Sequence, residues 1–224
     1  KEGERKGAFV PVGNSSAMPS YKLNYFDARG LGEVSRQIFI LSGTPYEDNR
    51  IPRDQWPALK DNPETPFGTL PVLEVDGKQI PQSLAIARYL AKEFGFYGAT
   101  PFEAAWVDAL ADQVKDFLAE MRPYFAVAMG MVEGDKEKLK AEVALPAIEK
   151  HFGLLEKTAK NNGNNGHFVG SSLTFVDLLI ADFINSVEGL VPGFTAPYPA
   201  VSAVKTKVDN LPKIKEWIEK RPKT

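Results

Sequence analysis

The sequence predicts a small α/β domain followed by an all-helical one, an α/β plus all-α architecture. Two observations carry this. Before residue 97 the pattern runs strand, helix, strand, then a two-stranded hairpin and a helix. From Thr100 to Thr224 no strand pattern recurs, while helix-start signals do.

The first strand is Tyr21–Phe26, YKLNYF, which alternates apolar and polar side chains and is rich in aromatics. DARG follows as a loop. Leu31, Val34, Ile38 and Leu41 then recur at helical spacing, and Gly43 closes that helix. Tyr46–Ile51 reads as a second strand. The proline-rich stretch from Ile51 to Pro66, which holds Trp56, reads as an irregular loop or short helical turn. Val72, Leu73 and Val75 form a third strand, and Asp76-Gly77 is a two-residue hairpin signal. Gln79-Ile80 continues the fourth strand, and Ser83 opens an amphipathic helix to Phe94. The order βαβ-ββα, over residues 19–96, is the thioredoxin-like arrangement of a mixed sheet with helices packed on it.

The helical domain spans 101–224. Thr100 and Pro101 read as an N-cap with proline at the first helical position, and that helix runs to about Met131. Another runs from Asp135 to Lys160, and NNGNNG is a loop. In LTFVDLLIADFINSV, Thr174 and Asp177 form a capping box, flanked by a hydrophobic staple of Leu173 and Leu178. On that basis alone Asp177→Ala costs about 1 kcal/mol of stability or somewhat more. Two shorter helices, Tyr198–Asp209 and Pro212–Lys220, finish the chain. Two unlike domains leave a cleft between them, a common place for a ligand.

Composition excludes several functions. The chain has 224 residues, a net charge of −2 and no cysteine. A disulfide framework, a cysteine nucleophile, a C-x-x-C redox centre and a thiolate zinc site are therefore impossible. The two histidines, His151 and His167, make a His-based metal site unexpected, and both read as structural or exposed. No basic footprint for nucleic acid is evident, nor an apolar run long enough to span a membrane. Residues 1–18 are polar and small-residue rich and read as a flexible extension. They start at Lys1 and contain the sequon Asn14-Ser15-Ser16, which points to a removed leader, secretion and glycosylation at Asn14. A vector remnant ahead of Met18-Pro19, on a cytoplasmic protein, is the alternative.

An ordered set of segments spans both domains: YKLNYFDARGLGE, YEDNRI with QWPALK, PFGTLPVLEVDGK, QSLAIARYLAKEFG, VDALADQVKDF, SLTFVDLL and IKEWIEKRPKT. Together they resemble a cytosolic-type glutathione transferase, and most of all the sigma class, which includes glutathione-dependent prostaglandin D synthases. The resemblance implies conjugation of glutathione to apolar electrophiles, or isomerisation of prostaglandin H2. A non-catalytic ligand carrier or crystallin-like protein on the same fold is the alternative. It implies glutathione as co-substrate, no metal, and a homodimer.

The resemblance also assigns residues. Tyr25 would donate its hydroxyl to the glutathione sulfur. Trp56 and Lys60 would hold the glycine end. Leu70, before a cis Pro71, would pair with the cysteinyl backbone like an added strand. Gln82 and Ser83, at a helix N-terminus, would take the γ-glutamyl carboxylate. Asp116 of the partner subunit would reach the γ-glutamyl amine. The second-substrate pocket would have Phe26 on its floor and Met121 and Tyr124 among its walls. One departure is Leu31, where some prostaglandin D synthases carry arginine, a place that neither Arg29 nor Arg36 simply fills.

Overall fold

A computed structural model describes residues 19–61 and 65–222. Four strands form one sheet: β1 (Tyr21–Phe26), β2 (Glu47–Ile51), β3 (Val72–Val75) and β4 (Lys78–Pro81). Their order is β2-β1-β3-β4, with β1 parallel to β2 and the other neighbours antiparallel. The parallel pair is joined by α1 (Glu33–Ser42), which ends at Gly43 with φ +73°. The β3–β4 turn places Asp76 at φ +49° and Gly77 at +75°, the doubly positive geometry that favours Asp-Gly. A short α2 (Trp56–Leu59) lies in the β2–β3 connection, and α3 (Ser83–Phe94) follows β4. Leu23, Leu73, Ile38, Ile86 and Leu90 have no exposed surface and close the core between sheet and helices.

The second domain contains α4 (Pro101–Ala128), α5 (Lys136–Leu139), α6 (Leu145–Asn161), α7 (Phe175–Glu188), α8 (Pro199–Asp209) and α9 (Pro212–Lys220). The first helix stops three residues short of the expected Met131. Gly130, at φ +69°, turns the chain out of the helix. The expected Asp135–Lys160 helix is interrupted by a π-helical turn, Lys140–Ala144, that joins α5 to α6. Pro146 accounts for it, because proline donates no N–H and its ring crowds the carbonyl four residues back.

The domains are joined by ion pairs, a backbone hydrogen bond and helix packing. Arg88 of α3 pairs with Asp108 (2.5 Å) and Asp112 (2.7 Å) of α4. The Phe175 N–H donates to the Phe96 carbonyl at 2.8 Å. Helix α1 packs against both α7 and α9. Among the described residues no helix is long and apolar enough to cross a membrane.

Candidate active site

Strand register gathers the candidate residues at one end of the sheet. Asn24 pairs with Val72, and Val72 with Pro81. Tyr25 follows Asn24, Pro71 precedes Val72 and Gln82 follows Pro81, so all three adjoin this end of the sheet. On the other side Phe26 pairs with Ile51, from which the chain leads into α2 with Trp56 and Lys60.

Tyr25 is 8% exposed. Its hydroxyl oxygen accepts the Leu31 backbone N–H at 3.0 Å. That bond uses a lone pair and leaves the hydroxyl hydrogen to be donated elsewhere. Burial pushes the Tyr25 pKa up, against the Leu31 N–H and the charges of Arg36 and Arg53, which pull it down. The phenol is therefore protonated at neutral pH and has a hydrogen to donate.

Two glycines make room for it. A Cβ on Gly30, itself at φ +39°, would lie 2.6 Å from the Tyr25 hydroxyl oxygen. One on Gly32 would lie 2.6 Å from the ring Cδ1. Below the ring, fully buried Arg36 places its guanidinium 5.7 Å from the ring centroid. Its Nε donates to Asp48 at 3.0 Å, and its other nitrogens donate to the carbonyls of Ala28 (2.7 Å) and Phe26 (3.3 Å). The turn after β1 is thus pinned by a buried cation. The ARGLGE spacing was visible in the sequence, but its meaning depends on where the Tyr25 ring lies.

Phe26 is half-buried, edge-on to Trp56 and to Tyr25 at 5.5 Å each, with the Arg53 guanidinium 5.2 Å over its ring. Lys60 caps α2 and is exposed. The Leu70–Pro71 bond is cis. Gln82 has φ +77° and ψ 119°, a conformation that costs a non-glycine residue about 1–3 kcal/mol. Ser83 follows as the first residue of α3, whose opening N–H groups suit an anion.

Three other expectations fare differently. Met121 and Tyr124 are not pocket walls in this structure. Both have no exposed surface, and the Tyr124 hydroxyl donates to the Leu190 carbonyl at 3.1 Å. They continue the inward face of α4 set by Val107, Leu110, Val114 and Phe117, a spacing legible in the sequence. Asp116 is exposed on α4. Asn14 lies outside the described residues.

Both histidines are buried and structural. His151 meets Gln113 at 2.6 Å, and His167 lies between Lys207 (2.8 Å) and Asp177 (3.4 Å).

Known proteins resemble this chain in sequence and fold. Residues 21–92 match the family described as glutathione S-transferase, N-terminal domain, and residues 115–221 match glutathione S-transferase, C-terminal domain. Glutathione S-transferase 1 of Ascaris suum is 53% identical over 207 residues, which are 92% of this chain and 99% of that protein. The crystal structure of monomeric Na-GST-3 from Necator americanus is 51% identical, with TM-score 0.87, over 92% of this chain and 98% of that one. A Nu-class transferase from Haemonchus contortus is 48% identical, with TM-score 0.84, over 92% and 99%. Family models covering both domains, and relatives of this identity along nearly their whole length, place the sequence: the chain belongs to the glutathione S-transferase family.

Proposed function

We propose that this glutathione transferase joins the glutathione thiol to electrophilic apolar compounds, with Tyr25 as the catalytic hydroxyl. The observation that carries the reading is the Tyr25 hydroxyl, whose oxygen takes the Leu31 N–H while its hydrogen stays available. A donor aimed at sulfur favours thiolate over thiol. Lowering a thiol pKa by about two units is worth roughly 2.7 kcal/mol and makes the nucleophile abundant at neutral pH. The thiolate attacks an electrophilic carbon, the C–S bond forms, and the leaving group departs with its electron pair. Trp56, Lys60, Leu70, Gln82 and Ser83 would hold the tripeptide along the sheet end, and Phe26 would border the apolar substrate.

Conjugation is preferred over prostaglandin isomerisation on local grounds. Leu31, 49% exposed beside the Tyr25 hydroxyl, stands where some prostaglandin D synthases carry arginine. Arg29 and Arg36 are committed elsewhere, to Asp182 and to Asp48. Sigma class is the class reading that the sequence motifs support, and the Nu-class relative offers a second class within the same family.

The assembly is proposed as a homodimer in which Asp116 reaches the partner's glutathione. A solved relative is described as monomeric, so sedimentation of the wild type decides this point. Secretion with a glycan on Asn14 rests on the sequon and is read by mass spectrometry of native protein.

The main test compares wild type with Tyr25→Phe for conjugation to 1-chloro-2,4-dinitrobenzene and for bound-thiolate absorbance against pH. Losing one preorganised donor is expected to lower the rate by about 10²-fold or more and to raise the bound thiol pKa. An inactive wild type, or an unchanged rate and thiol pKa in Tyr25→Phe, overturns the reading. Turnover of prostaglandin H2 by the wild type would reinstate the isomerase.

A further inference from the structure

The Tyr25 turn is held from behind by a buried ionic cluster that reaches the far end of the chain. Glu33, the first residue of α1, is 1% exposed. Its Oε1 accepts the Trp217 indole N–H at 2.7 Å and an Arg221 N–H at 2.5 Å. Its Oε2 lies 3.7 Å from Arg36. The same Arg221 nitrogen is 3.5 Å from Asp182 of α7. Arg29 is 3.8 Å from that Asp182 oxygen and donates to Ser186 at 3.5 Å. The first domain, α7 and the C-terminal end thus meet in one network.

Burying this many charges is a poor route to stability alone, since well-packed apolar side chains serve as well or better. The position of the network suggests another use. Arg29 sits between Ala28, whose carbonyl is bound by Arg36, and Leu31, whose N–H meets the Tyr25 hydroxyl. Gly30 and Gly32, in the same segment, run so close to Tyr25 that a Cβ on either would lie 2.6 Å from it.

We infer that Arg221 and Trp217 are positioning residues for Tyr25, acting through Glu33, Arg36 and Arg29 on the segment that supplies the Leu31 N–H. The inference rests on the catalytic reading of Tyr25 above. Asp182 supports it. With its arginines at 3.5 and 3.8 Å, that carboxylate is held by charge more than by hydrogen bonds, and burial with nearby Glu33 pushes its pKa up to about 7. Removing Arg221 leaves Glu33 and Asp182 as neighbouring buried acids, so the cluster must rearrange rather than lose a single bond.

The test uses the full chain with Arg221→Ala, Arg221→Lys and Trp217→Phe. Each is read by thermal midpoint, bound glutathione thiol pKa, and kcat against KM. Arg221→Ala is expected to raise the bound thiol pKa by about one unit, which cuts the thiolate fraction about tenfold at pH well below that pKa and about threefold near neutral pH. KM for glutathione should change far less. Arg221→Lys should recover part of the loss, and Trp217→Phe should show a smaller shift in the same direction. If Arg221→Ala does not fold, Trp217→Phe carries the test, because it deletes one N–H and keeps most of the apolar ring. A lower melting point with an unmoved thiol pKa in the folded variants overturns the inference and leaves the cluster structural. A wild type without a bound-thiolate signal overturns the Tyr25 reading and this inference with it. A normal wild type with unmoved variants overturns only the inference.

Discussion

Tyr25 and Asp177 are both polar, both buried, and both sit where an element begins or ends. They differ in what remains unspent. Asp177 has no exposed surface, and its carboxylate accepts the Phe168 N–H at 2.9 Å and the Thr174 N–H at 2.8 Å. It also takes the Thr174 hydroxyl at 3.0 Å and faces His167 at 3.4 Å. Its acceptor capacity is consumed internally. Tyr25 has one internal bond, made to its oxygen, and keeps its hydrogen. A buried polar group with every bond satisfied is scaffold. A buried polar group holding a directed donor in reserve is equipped for chemistry.

The largest expected effects separate these two roles. Tyr25→Phe should lose about 10²-fold or more in conjugation rate while its stability stays within about 1 kcal/mol of wild type, the net worth of one hydrogen bond. Asp177→Ala should do the reverse. It strands two buried backbone N–H groups and the Thr174 hydroxyl, so a loss of roughly 3 kcal/mol is expected by denaturant melt. The thiol pKa of its folded fraction should not move. A rate loss in Asp177→Ala at full folding, or a large stability loss in Tyr25→Phe, breaks the division.

The same pair shows what was legible in the sequence. The capping box is a local i, i+3 pattern and could be read directly, as could the strands, the Asp-Gly hairpin and Gly43. Its energetic weight could not, because Phe168 and His167 reach Asp177 only through the fold of the 162–170 loop. That is why the sequence suggested about 1 kcal/mol and the structure suggests roughly 3. Tyr25, Gln82 and Ser83 were found through family resemblance, and register then set them at one sheet end. Helix α1 was misread in part. Leu31, counted on its apolar face, lies half-exposed in the preceding turn. Glu33, which the apolar spacing did not include, is buried and takes its hydrogen bonds from Trp217 and Arg221 at the C-terminal end. Periodicity within ten residues carries no information about a cover supplied from more than 140 residues away.

A smaller effect is expected from pH. Asp182 holds its proton up to about pH 7 in the folded chain, against an ordinary value of 3.8. Between those values the folded state binds more protons than the unfolded one, so this group's contribution falls as pH rises. It is fully present below about pH 4 and lost by about pH 7, with a limiting slope of about 1.4 kcal/mol per unit. Glu156 and Glu188, whose pKa values are lowered by backbone N–H and side-chain partners that outweigh burial, act with the opposite sign. The useful quantity is therefore the difference between wild type and Asp182→Asn. That difference should favour the wild type progressively less as pH rises from 4 to 7. A pH-independent difference would mean that Asp182 is charged throughout and fully compensated by Arg29 and Arg221.

The smallest effect sharpens the contrast within the active site itself. Lys60 is exposed at the end of α2 and would meet the glycine carboxylate of glutathione as a point charge in water. Exposed ion pairs contribute about 0–1 kcal/mol, so Lys60→Met should raise KM for glutathione by no more than about fivefold. Unlike Tyr25→Phe, it should leave kcat and the bound thiol pKa unchanged. Salt provides an independent check. The Debye length shrinks from about 10 Å at 0.1 M to about 3 Å at 1 M, so the wild-type KM should rise toward that of the variant as salt is added, while the variant's stays nearly flat. A fall in kcat instead would mean that the interaction strengthens in the transition state, and Lys60 would then belong with Tyr25 and not with the binding edge.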